Sequence, residues 1–189
     1  RKALNIKQQD YHREQSKLET LRNMTERYDG YGQSIRRVME QKEKNAGIVG
    51  VVADIIKVEK EYEVAMEIAL GGNIQNIVTD TEETAKQLIQ FLKKNRYGRA
   101  TFLPLTVVGK RNVSKREDAR KEPGVLGFAS ELVNAKKEFK NLVEYLLGRI
   151  LVVDHIDHAI AVARKYNNSI RIVTLEGELL NPGGGLSGG

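Results

Sequence analysis

The chain of 189 residues contains no cysteine. Disulfide cross-links, cysteine-ligated zinc and thiol catalysis are therefore excluded, and a reducing cytoplasm is the expected compartment. No apolar run approaches the roughly 18 residues that span a bilayer, and no secretory leader pattern is present. No membrane partner is expected. A Walker A lysine followed by Ser/Thr is missing, as is any Ser–His–Asp spacing, so no catalytic residues, cofactor or small-molecule substrate are assigned. What is present is a folding composition, 40% hydrophobic and 30% charged, enough for one ordinary domain or two small ones sharing a core. The chain begins at Arg1 and stops at Gly189 just after a glycine cluster; it reads as a piece of something longer.

The net charge of +6 is unevenly spread. Residues 46–85 carry 2 Lys/Arg against 8 Asp/Glu, whereas residues 86–121 carry 11 against 2. An acidic stretch followed at once by a basic one can steer an anionic partner, or favour association of unlike faces.

Residues 1–29 lack Gly and Pro and are rich in helix formers. Leu4, Tyr11, Leu18 and Thr25 fall seven apart, with Lys7, Glu14, Leu21 and Tyr28 in the alternate slot. This half-seam predicts a coiled-coil arm in need of a partner helix, or else an amphipathic helix packed on the body. A turn at Tyr28–Gly32 leads into a short helix near Ser34–Asn45, with Ser34 as its expected cap.

The body contains an internal repeat. An offset of 77 lays Gly50–Ile56 over Gly127–Val133, Glu61-Tyr62 over Glu138-Phe139, and Glu67, Leu70 and Gly71 over Glu144, Leu147 and Gly148. With small deletions, Ile77–Asp80 matches Val152–Asp154, and Ala100–Leu103 matches Arg171–Thr174. The expected architecture is mixed α/β in two pseudo-repeated halves. Helices are predicted near Lys60–Leu70 and Thr81–Asn95, then near Lys136–Leu147 and Asp157–Tyr166. Strands are predicted near Val49–Ala53, Gln75–Val78, Ala100–Leu103, Arg149–Val153, Ile170–Leu175 and Glu178–Leu180. Val51, Val52, Ile77, Val78, Val152, Val153, Ile172 and Val173 suit buried strands, while Met66, Ile68 and Leu70, and Leu88, Ile89 and Leu92, suit apolar helix faces. The expected divisions are an arm over 1–29, a first subdomain over 30–105, an exposed basic linker over 106–124 and a second subdomain over 125–189.

Four motifs stand out. The run Gly183–Gly189, after Asn181-Pro182, permits positive φ and close backbone approach. A phosphate cradle, the signature of ABC-type ATPases, a tail and a tight interface compete for it; without Walker motifs the interface is preferred. Gly71-Gly72-Asn73 ends a helix, where one glycine suffices as a cap and the second can serve approach by another chain. Asp154-His155-Ile156-Asp157-His158 has metal-ligand residue types, but Asp154 or Asp157 is more simply an N-cap, and no metal site is assigned. Lys93, Lys94, Arg96 and Arg99, with Phe91, Tyr97 and Phe102 nearby, suit either nucleic-acid binding or a solvated helix end.

Lys60–Gly71, Gly98–Pro104 and Ile172–Glu178, continuing to Asn181–Gly184 and Ser187–Gly189, jointly resemble the hinge domain of bacterial SMC proteins, the chromosome-partition ATPases. The resemblance covers nearly the whole sequence. It implies two similar subdomains, a coiled coil that enters and leaves at the hinge, and a ring-shaped homodimer in which copy one faces copy two. It implies dimer contacts at Gly71, Gly72 and Asn73 and at Gly183, Gly184, Gly185, Ser187, Gly188 and Gly189. It further implies DNA as a partner, a cytoplasmic nucleoid location, and ATPase heads outside this chain. Charge alone nominates Lys93, Lys94, Arg96, Arg99, Arg36 and Arg37 for DNA. The rival expectation is a monomeric nucleic-acid-binding module whose glycines serve only turns.

Overall fold

The computed structural model describes residues 32–110 and 114–189. The expected arm over residues 1–29 lies outside the described residues.

The first copy runs β1 (Ile48–Val51), a helical turn α2 (Val52–Ile55), β2 (Lys57–Val58), a 3-10 turn over Lys60–Tyr62 leading into α3 (Glu63–Leu70), a 3-10 turn over Gly71–Gln75, β3 (Ile77–Thr79), α4 (Glu82–Asn95) and β4 (Phe102–Pro104). A short helix α1 (Gln33–Met39) precedes it. The second copy runs β5 (Val125–Phe128), a 3-10 turn over Ala129–Glu131, β6 (Val133–Asn134), a 3-10 turn over Lys137–Phe139 leading into α5 (Lys140–Leu147), β7 (Ile150–Val153), α6 (Ile156–Lys165) and β8 (Arg171–Thr174). Two short strands, β9 (Leu179–Leu180) and β10 (Leu186–Ser187), follow. The offset of 77 read from the sequence carries β1 onto β5, the turn at Lys60 onto that at Lys137, and α3 onto α5.

Both sheets share one plan. β1 pairs antiparallel with β3, which pairs parallel with β4; β5, β7 and β8 repeat this arrangement. Register slips at the same place in each, between Ile48 and Gly50 and between Val125 and Gly127. Gly50 (φ 149°) and Gly127 (φ 143°) hold backbone that a side chain resists, which lets the strand bulge and bend.

The repeat also explains the core. Side chains alternate across each strand, so Ile77 and Ile172 face one way and Val78 and Val173 the other. Val78 and Val173 enter a shared central core with Met66, Leu70, Leu142, Leu146 and Leu147, formed where α3 of copy one packs against α5 of copy two. Ile77 joins Ile35, Val38, Leu88 and Leu92 in an outer core beneath α1 and α4. Ile172 joins Phe128, Leu151, Val162 and Leu180 beneath α6. All eight strand residues expected inside have no exposed surface, each burial stabilising by about 1.5–3 kcal/mol. The layers are therefore helix, sheet, shared helix pair, sheet, helix. The β2–β6 ladder ties the halves together a second time.

Four expectations are corrected. Ser34 does not cap α1; Gly32 (φ 86°) stands at the N-cap with no side-chain bond, and Ser34 is buried within the first turn. Nor does Asp157 cap α6: His155 is at the N-cap, and Asp154 closes the turn by accepting from the His155 amide at 2.7 Å. Val52 begins a helical turn rather than ending a strand. The segment 106–124 is not merely an exposed linker. Val108 packs on the shared core and Ala119 is fully buried against copy two. Its cations are engaged too: Lys115 pairs with Glu144 at 2.9 Å, and Arg120 bridges Glu117 and Glu131. Arg116 lies over the Tyr166 ring and Arg120 over Phe128. Burial of the stems and ring contacts hold a segment whose composition alone reads as solvated.

Candidate dimer and nucleic-acid interface

The glycine-rich C-terminus forms a hairpin. β10 runs antiparallel to β9, with Leu186 opposite Leu180 and Ser187 opposite Leu179. The Asn181 amide donates to the Gly185 carbonyl at 2.8 Å, and the Gly184 amide to the Asn181 carbonyl at 3.0 Å. The Gly183 amide donates to the Asn168 carbonyl at 2.8 Å, anchoring the turn beside the end of α6. Gly183 (φ 97°) and Gly184 (φ 111°) adopt the left-handed conformation such a turn needs. β10 was not expected from the sequence; the single apolar residue in the glycine run, Leu186, was its available signal. It is the outermost strand of the five-stranded sheet, and Leu186 is 54% exposed.

Most of these glycines have open space around them. A Cβ on Gly71, Gly72, Gly183, Gly184 or Gly189 would meet nothing within 4 Å. Gly71 has a local reason to be glycine, since it ends α3 at φ 52°. Gly72 has neither a left-handed φ nor a close neighbour, so the chain's own packing does not call for glycine there. Asn73 is occupied locally: its Oδ1 accepts from Asn76 Nδ2 at 2.7 Å. Gly185 and Gly188 lie close to Asn181 and Glu178 respectively.

The two sheets differ at one edge. In copy two, β8 continues outward to β9 and β10, and α6 packs on β9 with Leu180 buried in the core. In copy one, β4 is the equivalent of β8, and among the described residues the sheet stops there. A groove of about 430 Å³ lies between α4 and β4, lined by Ala85, Lys86, Ile89, Lys93, Phe102 and Pro104 among others. Ile89, expected on a buried face, is 40% exposed in this groove because no strand among the described residues covers it. Ile68 departs from expectation similarly; it lies near the α3 surface beside Gly177.

Four of the basic residues cluster at and just beyond the C-terminal end of α4. Thr81 caps α4, its hydroxyl accepting from the Thr84 amide at 3.2 Å, and Lys93 and Lys94 stand in the last turn. Arg96 ends the helix at φ 55°. Lys93, Lys94, Arg96 and Arg99 are exposed. α1, which carries Arg36 and Arg37, packs against α4. Arg37 sits 5.0 Å over the Tyr97 ring and pairs with Glu40 at 3.3 Å. Tyr97 in turn meets Phe91 edge to face at 5.6 Å. The aromatics are therefore half-buried supports for the cations rather than a free stacking platform. Gly98 faces Ser34, so this surface adjoins the place where residue 32 enters the body.

Known proteins share this organisation. The family described as SMC proteins flexible hinge domain matches residues 45–163. The chromosome partition protein Smc of Bacillus subtilis is 42% identical over 176 residues, covering 92% of this chain and 15% of that protein. Its counterpart from Lactiplantibacillus plantarum is 41% identical over 179 residues, covering 94% and 15%. The chain thus spans about 15% of the length of these relatives. The SMC hinge domain of Geobacillus stearothermophilus, solved as an asymmetric dimer, superposes with a TM-score of 0.82 at 37% identity, covering 93% of this chain and 72% of that one. The Pyrococcus furiosus SMC hinge domain gives 0.69 at 30% identity, covering 87% and 84%. With the family model matching residues 45–163 and these chromosome partition proteins 41–42% identical over more than nine-tenths of it, the chain belongs to the SMC flexible hinge family.

Proposed function

We propose that this chain is the homodimerisation hinge of a chromosome-partition Smc protein, and that it acts in the cytoplasm by association rather than by covalent chemistry. Two copies meet with the copy-two hairpin of each beside the open copy-one edge of the other. Two such contacts related by a two-fold axis close a ring. The observation that carries this reading is the mismatch between the sheets: β9 and β10 extend one, while β4 and the groove beside Ile89 leave the other unfinished. An uncovered strand edge is a template for pairing with another chain. The bare glycines 72, 183 and 184 are placed to admit a second backbone. The surface of Lys93, Lys94, Arg96, Arg99, Arg36 and Arg37 engages DNA through its phosphates, with the ATPase heads elsewhere in the parent protein.

Sedimentation equilibrium over a range of protein concentrations, at two salt levels, tests the proposal. A salt-tolerant species near twice 21.3 kDa is expected. A strict monomer that still binds DNA in a salt-sensitive manner would replace the hinge reading with the monomeric nucleic-acid module.

A further inference from the structure

Asp154, His155 and His158 stand where β7 gives way to α6, on the outer face of copy two. His158 Nδ1 is 2.8 Å from Asp154 Oδ1, and His155 Nε2 is 3.9 Å from the same oxygen. The two imidazoles stack with centroids 4.1 Å apart. One donor atom from each of the three residues lies within 4.8 Å of the others. All three side chains are partly exposed, so a solute can reach them.

The other half of the molecule supplies an internal control. There Asp80, Thr81 and Thr84 occupy the same junction between β3 and α4. Asp80 Oδ1 accepts from the Thr81 amide at 2.7 Å and from Thr84 Oγ1 at 2.6 Å. Asp154 Oδ1 accepts from the His155 amide at 2.7 Å and meets His158 Nδ1 at 2.8 Å. The surroundings repeat as well. The Asp80 amide donates to the Gly47 carbonyl and the Asp154 amide to the Gly124 carbonyl, both at 2.9 Å. A Cβ on Gly47 would overlap Thr84 and Asp80, and a Cβ on Gly124 would overlap His158 and Asp154. Two threonines therefore satisfy every structural demand of this corner. Two imidazoles in their place add nothing the cap requires. What they add is a pair of borderline nitrogen donors beside a carboxylate, in a notch kept open by glycine.

We propose that Asp154, His155 and His158 form a surface site for a divalent transition-metal ion of the zinc class. Zinc takes imidazole nitrogen at about 2.0–2.1 Å and carboxylate oxygen at about 2.0–2.2 Å, so donors bound to one ion lie a little over 3 Å apart. Rotation of exposed side chains closes the gap from the present separations. The ion takes His158 Nδ1, His155 Nε2 and the Asp154 carboxylate, replacing the His158–Asp154 hydrogen bond, and water completes the tetrahedron. Imidazole and carboxylate donors select zinc and its neighbours over magnesium or calcium, which prefer all-oxygen shells. The site is independent of the hinge reading: it lies on the copy-two outer helix rather than at the β4 edge or on β10.

The test is titration of the metal-stripped 189-residue chain with zinc chloride, followed by calorimetry. The reference variant is His155→Thr with His158→Thr, which installs the residues copy one uses and so preserves the cap. The wild-type chain should bind one zinc per chain, and the double variant should bind it at least about tenfold more weakly, with unchanged circular dichroism and unchanged Tm in the absence of metal. His12 is the remaining histidine, and a His12→Gln variant should keep the wild-type affinity. Absence of saturable zinc binding overturns the proposal. So does equal affinity in the double threonine variant, or loss of binding on replacing His12 alone.

Discussion

Lys57 pairs directly with Asn134 across the β2–β6 ladder, and the two are equivalent positions of the internal repeat. A residue that pairs with its own equivalent lies next to a pseudo-two-fold axis. The same axis passes between α3 and α5, whose equivalent residues Met66 and Val143, and Leu70 and Leu147, all contribute to the shared core. Neither half covers its inner face without the other. The copies are halves of one packed body rather than beads on a linker.

The shared core predicts that the halves unfold together. Leu147 belongs to copy two and is fully buried. Leu147→Ala should cost roughly 2–5 kcal/mol through lost burial and the cavity left behind. Amide exchange should accelerate at Val78 in copy one as much as at Val173 in copy two, because both valines line the same cluster. Acceleration confined to copy two would mean that the halves are independent folding units.

Acid should loosen the segment that joins the halves. Glu131 is desolvated by burial, which raises its pKa, but hydrogen bonds from Arg120 and the Phe128 amide, with the nearby cations, outweigh this and leave it lowered. A depressed carboxylate contributes stability above its unfolded pKa and loses it as pH falls through the lower folded value. The contribution should therefore be complete near neutrality and fade below about pH 4.5. The pair is more than a third exposed, so solvent screening limits it to about 1 kcal/mol or less. Urea midpoints of wild type and Glu131→Gln should converge as pH falls from 6 to about 3; a constant difference would show that Glu131 acts through packing alone.

The sequence conveyed the strands and the repeat well, because buried valines and isoleucines at matched spacing leave little choice of location. The 77-residue offset survives as matching elements in the same order, with the register shifts before Gly50 and Gly127 included. Three features were illegible for physical reasons. The 106–124 segment is held by salt bridges and by cations over Phe128 and Tyr166, contacts that a basic composition does not display. The β10 strand depends on pairing with β9 rather than on propensity, since glycines surround Leu186. The exposure of Ile89 follows from the described sheet of copy one ending at β4, which helical periodicity does not register.

Salt dependence tests the proposed DNA surface. Lys93 and Lys94 are adjacent and exposed in the last turn of α4. Lys93→Glu with Lys94→Glu should weaken DNA binding roughly uniformly across sequences, and should reduce the slope of log affinity against log salt by about 1–2. Fluorescence anisotropy with a labelled duplex at several salt concentrations measures both quantities. Lys115→Gln is the control, since Lys115 is paired with Glu144 at 2.9 Å and largely buried. If the control lowers the slope as much as the Lys93/Lys94 variant, binding follows net charge and not this surface.

The proposed ring makes a stricter prediction than dimerisation itself. Gly72→Leu alters copy one at a position without a left-handed φ or a close neighbour, so the fold should tolerate it. Leu186→Asp alters the copy-two hairpin at a residue already 54% exposed. If copy one of each chain meets copy two of the other, either variant alone damages both contacts of its own dimer and should sediment chiefly as monomer. In a mixture, one contact joins the altered surfaces and the other joins two intact ones. The mixture should therefore recover a heterodimer, held by a single contact and weaker than wild type. An interface that joined like surfaces, copy one to copy one, would give no such recovery. Sedimentation velocity on the two variants, separately and at equal concentrations together, distinguishes these arrangements without requiring a complex structure.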